Sequence, residues 1–394
     1  MPPSWPTPSQ TEKVVPLRRL LPHRSLLPDP LPFGQEAKGV RVHEADICSE
    51  SQCDEIIRRG TNSDGIIIGE LQAAAGPHDN LVTRDGWGYD FVGFLDYDLA
   101  LGTNRYAEAI RGDPDFVDAV FDGARRIGLA QAESVRRELE QGADRKQLQA
   151  LLPAGGARNA IDCALWDLEA KRSGRGIWEL TGIAPREVIT FETVGLDTPE
   201  AMAAKARALR SPHIKVKLDG NDPLARIRAV RAARPDAEII VDANQGWSFA
   251  QLQALAPAFA ELGIAMIEQP LPRGGDLELE GRAWPVPLCA DESCLDTSEF
   301  AQAARRYQMI NIKLDKTGGL TEALALARLA RHNGIGLMVG NMLGTSLAMA
   351  PGFLIAQLCR YADLDGPLYL RRDRQPAMQC RDGVLSAPDP SLWG

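Results

Sequence analysis

HIKVKLDGNDPLARIRAVRAARPDAEIIVDANQGW, residues 213–247, holds two short β-branched runs that each end in charge, separated by an arginine- and alanine-rich helical stretch. In the first run Lys215 and Lys217 alternate with Ile214 and Val216, so both lysines fall on one face of a strand. The second run, AEIIVDA, is β-branched through Ile239, Ile240 and Val241 and closes on Asp242. Strand, helix and strand, with charge at each strand's end, is the repeating unit of a parallel sheet.

Working outward from this stretch, the same rhythm runs from about residue 186 onward. VITFETVGL (188–196) precedes it, and IAMIEQP (264–270), VPLCADE (286–292), MINIKLD (309–315), IGLMVG (335–340) and YADLD (361–365) follow. Between the runs lie helical segments such as PEAMAAKARAL, FAQLQALAPAFAELG and GLTEALALARLARHNG, with apolar residues three and four apart. Eight such units close a parallel α/β barrel of the TIM type. All strands of such a barrel point the same way, so Lys215, Lys217, Asp242, Glu268, Asp291, Lys313 and Asp363 gather at one mouth. As mere solubilising groups they would repel or stay unpaired, and that argues for a ligand or metal to organise them.

Upstream, LLPAGGARNAIDCALWDLEAKRSGRGIWELTG (151–182) reads as one helix packed beside the barrel. Ala160, Cys163, Ala164 and Leu168 form an apolar stripe, with Arg158–Asp162 and Asp167–Lys171 as pairs four residues apart. Residues 1–128 alternate poorly. SDGIIIGELQ (63–72) reads as a strand and the stretch from residue 114 to 142 as helical.

A length of 394 residues suits a barrel with a smaller companion domain, and a net charge of -9 without a basic stripe argues against nucleic acid and anionic membranes as partners. The seven scattered cysteines lack metal or disulfide spacing and read as reduced thiols. With no apolar stretch long enough for a signal core or a membrane span, the expected location is the cytoplasm. Self-association into a homo-oligomer is compatible with the sequence.

Asp242, Glu268 and Asp291 end neighbouring strands, and three adjacent carboxylates invite a hard divalent cation. Mg²⁺ keeps positions open for substrate, and the absence of histidine argues against zinc. Lys215 and Lys217 sit on the second strand and Lys313 on the sixth, on opposite sides of an eight-stranded ring. The charge of one of the paired lysines is expected to lower the proton affinity of the other, making a usable base. A base on each side of a carbon next to a carboxylate can take a proton from one face and return it to the other, which is racemisation or epimerisation. Asp363 and Asp365 lie on one face after the eighth run and would suit a substrate ammonium group.

IKVKLDG, VDANQGW, IEQPL, ADES, NIKLDKTGG, MLGTSLAMAP and ADLDGPL together resemble the muconate-lactonising branch of the enolase superfamily, and within it the dipeptide epimerases. The resemblance covers residues 129–394. It implies a modified TIM barrel, (β/α)7β, over 186–366, an α+β capping domain over 1–185, and a segment 367–394 that returns to the cap. It further implies an isomerase with Lys217 and Lys313 as acid/base residues and Lys215 as the neighbour that tunes Lys217 and touches the substrate carboxylate. Asp242, Glu268 and Asp291 would bind one Mg²⁺ per subunit. Thr193, Asn244 and Asn341 would line the substrate site, and Asp363 with Asp365 would hold the amino terminus of a dipeptide such as L-Ala-D/L-Glu. The chain departs from the family at Asn341, where cysteine is common, and in residues 1–128, which lack the family's cap pattern. N-succinylamino-acid racemase and muconate cycloisomerase are sister activities that need no ammonium partner. An inactive barrel used for binding is the reading from another class.

Overall fold

The structure, a computed structural model, describes residues 130–370 and 373–394, with Gly128 and the strand segments Ile66–Ile68 and Gly93–Leu95. These two segments pair antiparallel, so the strand expected in 63–72 is present; the rest of the reading of residues 1–127 lies outside the described residues.

Eight parallel strands follow one another in chain order around a single sheet: β1 Glu192–Val194, β2 His213–Lys217, β3 Glu238–Asp242, β4 Ile264–Glu268, β5 Leu288–Ala290, β6 Met309–Lys313, β7 Gly336–Gly340 and β8 Tyr361–Ala362. A parallel bridge between Thr190 and Ala362 brings the last strand back to the first, reinforced by Phe191 N donating to the Ala362 carbonyl at 2.8 Å. That closure divides the run 188–196, read as one strand, into two. Val188–Ile189 pairs antiparallel with Val384–Leu385, while Glu192–Val194 enters the barrel. Thr190 marks the change, its Oγ1 accepting from Leu364 N at 2.8 Å.

Among the described residues, the helices before the barrel include α1 Arg136–Glu140, α2 Arg145–Leu151, α3 Gly156–Ser173 and α4 Ile177–Thr181. Those of the barrel are α5 Pro199–Ala208, α6 Pro223–Ala233, α7 Phe249–Glu261, α8 Phe300–Ala303, α9 Leu314–Thr317, α10 Leu320–His332 and α11 Ser346–Ala356. Their starts are written in the sequence: Thr198 and Asp222 cap α5 and α6 just before a proline, and Ser248 with Gln251 forms a capping box on α7. The unit after β4 departs from the expected alternation and carries only a 3₁₀ turn, Leu277–Leu279.

Inside the barrel, alternation sets the layers. Phe191, Ile240, Met266, Cys289, Met309, Met338 and Tyr361 pack together as a buried floor. Two residues further along the same segments stand Thr193, Asp242, Glu268, Asp291, Asn311, Gly340 and Asp363, so the apolar floor and the polar mouth share one inward face. The outward residues, including Ile214, Val216, Ile239, Val241, Ile310 and Ile312, form the larger core with the helices.

The stretch 151–182 breaks into α3 and α4 at Gly174, whose φ of 67° is the left-handed geometry that ends a helix at glycine. The apolar stripe expected on α3 is not its buried face: Leu168 is 41% exposed, and the helix buries Gly156, Ala157, Arg158, Asn159, Asp162 and Ala170. The Asp167–Lys171 pair forms at 2.7 Å, whereas Arg158 and Asp162 both turn to the barrel. At the C-terminal end Trp393 Nε1 donates to the Cys163 carbonyl at 2.9 Å and Gly394 N to Asp167 Oδ1 at 2.7 Å, tying the tail to α3. The five described cysteines are free, and none of the described helices is long and apolar enough to cross a membrane.

Candidate active site

At the carboxyl ends of the strands, four acids and three lysines interlock. Lys215 Nζ lies 3.0 Å from Asp242 Oδ2 and 2.9 Å from both Glu268 Oε2 and Asp363 Oδ2. Lys217 Nζ reaches Asp242 Oδ2 at 2.7 Å and Asn244 Oδ1 at 2.9 Å. Across the ring, Lys313 Nζ donates to Asp291 Oδ2 at 2.8 Å. Lys217 keeps 32% of its side chain exposed, while Lys215, Lys313 and the acids are buried.

Each carboxylate's proton affinity follows from its neighbours. Burial opposes the charge on Asp242, but Lys215, Lys217 and Lys313 outweigh it and hold the group well below the usual carboxylate range. Burial likewise opposes charge on Asp291, yet Lys313 and Lys316 bring it down to about 2. Glu268 is pushed up instead, by burial and by the charges of Asp242 and Asp291. For Lys215, burial would favour the neutral amine, but Asp242, Asp363 and Glu268 hold it well above the ordinary lysine value. Lys215 therefore stands as an ammonium locked among carboxylates. Lys313 is raised too, Asp291 overcoming the cost of burial.

The remaining sequence candidates meet here as well. Thr193 N donates to Asp365 Oδ2 at 3.1 Å, Asn341 Nδ2 donates to the Asp363 carbonyl, and Asn244 N donates to Asp242 Oδ1 at 2.9 Å. Burial and the adjacent Asp363 push Asp365 up to about 7. Asp363 Oδ1 is buried without a hydrogen-bond partner.

Four further residues shape the site without having been singled out. Asn311 Nδ2 donates to Glu268 Oε1 at 2.7 Å, and its place two residues before Lys313 on one strand was the available signal. Gln269 Oε1 accepts from the backbone N–H groups of Asp291, at 2.9 Å, and Ser293. Lys316 Nζ lies 3.3 Å from Asp291 Oδ1, and Tyr369 OH donates to Asp365 Oδ2 at 3.0 Å.

The donor set fits a hard divalent cation. Asp242, Glu268 and Asp291 come from adjacent strands, with Asp242 opposite Glu268 in register, and the buried oxygens Glu268 Oε2 and Asp291 Oδ1 each face a lysine ammonium, Lys215 at 2.9 Å and Lys316 at 3.3 Å, so both are turned toward positive charge. As they stand, among the described residues no three potential ligands converge closely enough to hold an ion; lysine ammoniums take the place of the positive charge.

Comparison with known proteins agrees with this geometry. The model described as "Enolase C-terminal domain-like" matches residues 200–391, and that of the "Mandelate racemase / muconate lactonizing enzyme, N-terminal domain" matches residues 132–182. The L-Ala-D/L-Glu epimerase of Escherichia coli K12 is 49% identical over 261 residues, 65% of this chain and 81% of the relative. The chain belongs to the enolase superfamily. This superfamily member is also 47% identical to the N-acetyl-D-glutamate racemase of a Pseudoalteromonas species, over 62% of the chain and 78% of that relative. An enolase family member from Agrobacterium tumefaciens with homology to dipeptide epimerases, solved with sodium and L-Ala-L-Glu, superposes with a TM-score of 0.66 at 46% identity, covering 68% of this chain and 82% of that one. The protein is accordingly an isomerase of the racemase and epimerase kind.

Proposed function

We propose that this isomerase is a Mg²⁺-dependent dipeptide epimerase, acting on L-Xaa-L/D-Xaa substrates such as L-Ala-D/L-Glu by two-base 1,1-proton transfer through an enediolate. The observation that carries the proposal is the opposition of Lys217 on β2 and Lys313 on β6, four strands apart in the ring, with buried carboxylates between them. A carbon held between two such bases exposes one face to each, so one lysine removes the α-proton and the other returns it to the opposite face.

Asp242, Glu268 and Asp291 would hold one Mg²⁺, whose chemistry is to neutralise charge that develops on the substrate carboxylate. Lys215 adds a fixed positive charge beside that carboxylate, because three acids keep it protonated. Lys313 must give up the Asp291 contact that holds its proton before it can act as a base. Asp363 Oδ1, with its unused acceptor capacity, and Asp365 beside it would receive the substrate's terminal ammonium. Thr193, Asn244 and Asn341 would line the same space. The five free thiols among the described residues accord with work in the cytoplasm.

A second reading, racemisation of an N-acylated amino acid, is favoured by one observation: with its proton affinity raised to about 7, Asp365 is in part a neutral acid at neutral pH, able to face an amide. Deuterium incorporation decides between the two. In D₂O with Mg²⁺, a one-dalton gain in a subset of an L-Xaa-L-Xaa dipeptide library, abolished by chelator, is expected. Exchange confined to N-acyl amino acids would replace the dipeptide reading.

A further inference from the structure

The face that α3 turns to the barrel is polar, and nearly all of it lands on one short segment, the turn that follows Lys313. Asn159 Nδ2 donates to Asp315 Oδ1 at 2.9 Å. Arg158 donates from Nη2 to the Thr317 carbonyl at 2.7 Å and from Nε to the Gly318 carbonyl at 3.0 Å. Asp162 accepts from Thr321 N at 2.9 Å and from Thr321 Oγ1 at 2.6 Å, capping α10 with a side chain from outside its own unit. Arg158, Asn159, Asp162 and Asp315 are all more than nine-tenths buried.

The turn is shaped for this contact. Gly318 and Gly319 have φ of +70° and +121°; a Cβ on the first would lie 2.5 Å from Arg158 Nε, and one on the second 2.5 Å from Asp162 Cβ. Two glycines are required both by the backbone and by the approach of α3. Burying this many polar groups is a poor way to gain adhesion, since an apolar stripe would need no desolvation of charge. A fully paired network instead specifies one geometry. Lys313 ends β6 two residues before Asp315, so the backbone leaves little slack between the base and the contact. The other base is supported differently. Lys217 leads into Asp219, which is held within the barrel by Arg226 and by Trp247 Nε1 on its carbonyl at 3.0 Å.

We propose that α3 is a positioning element for Lys313, with Asn159 and Arg158 as positioning residues that act through the turn at residues 315–321. This rests on the two-base reading and deepens it: one base is aligned by the barrel, the other by the helix outside it. Damage at α3 should then impair proton transfer on one face of the substrate only.

The test uses the full chain with Mg²⁺ and both stereoisomers of a turned-over dipeptide in D₂O, reading the initial rate of α-proton exchange from each. Lys313→Ala identifies the isomer whose proton Lys313 removes. Asn159→Ala and Arg158→Met are then expected to slow exchange of that isomer about tenfold or more, as small displacements of a reacting group do, and to leave the other within about twofold. Circular dichroism and a cooperative melt establish that each variant folds; should Arg158→Met not fold, Asn159→Ala decides alone. Equal slowing of both isomers, or no slowing in the folded Asn159→Ala variant, overturns the proposal. If Lys313→Ala itself shows no preference between isomers, the two-base reading fails, a result separate from failure of the positioning role.

Discussion

Lys313 Nζ lies 2.8 Å from Asp291 Oδ2, so the lysine that ends β6 and the acid after β5 are each other's counterion. Replacing Lys313 with alanine is expected to lower epimerisation by a factor of about 10² to 10⁴, and Lys217→Ala should do the same. Each variant should retain α-proton exchange from one stereoisomer, and the two should retain opposite ones. Undiminished turnover in both variants sinks the two-base mechanism.

Among the three acids of the proposed cation site, Glu268 is the one that burial and its neighbours push toward the neutral form, which makes Glu268→Gln the mildest way to weaken that site. In the unaltered protein, Mg²⁺ at about a hundred times its Kd should stabilise the fold by about 2.7 kcal/mol, seen as a rise in melting temperature that chelator reverses. The Glu268→Gln protein should melt cooperatively without that rise. A full response in the variant would remove Glu268 from the ligand set.

Asp363 is already engaged by Lys215 at 2.9 Å, whereas Asp365 is held by Thr193 N and Tyr369 OH. The double variant Asp363→Asn/Asp365→Asn is expected to lose about 2 to 5 kcal/mol of dipeptide transition-state binding. Its kcat/KM for dipeptides should drop, while exchange of an N-acyl amino acid is spared. Asp365→Asn alone is the cleaner variant, because it leaves the Lys215 contact intact. Equal loss on both substrate types removes the ammonium role.

With its proton affinity raised from 3.8 to about 7, Asp365 carries more protons in the folded than in the unfolded chain between those values. Its contribution to stability is most favourable below pH 4, falls as the pH rises toward 7, and stays at its lowest above that. Asp365→Asn should therefore raise the melting temperature relative to the unaltered protein at pH 8 more than at pH 4. The difference amounts to roughly 4 kcal/mol at most for a shift of that size. Parallel melting curves across this range would show that Asp365 is not held in its neutral form.

Most of the mouth was legible because a parallel barrel converts position along the chain into position in space. Asp242, Glu268, Asp291 and Lys313 come together because each ends an inward-facing strand pattern one unit after the last. Asn311 was equally within reach of that rule. The single-strand reading of 188–196 failed where continuity gave way to closure, since Thr190 must leave one pairing to reach Ala362. The stripe on α3 failed for a related reason: periodicity shows which residues share a face, but not whether the surface opposite is apolar.

By itself, then, the sequence determined the eight-unit barrel, the inward face of each strand and the types of charge at its mouth, because these depend on local alternation and repeat length. Only the tertiary structure decided which charges neutralise which. Lys215 meets Asp363, 148 residues away, because the ring closes between β1 and β8. Arg158 forgoes Asp162, four residues along its own helix, and takes the carbonyls of Thr317 and Gly318 instead. A buried charge must satisfy itself with whatever the folded chain brings within hydrogen-bond reach, and that neighbour is set by topology rather than by spacing along the sequence.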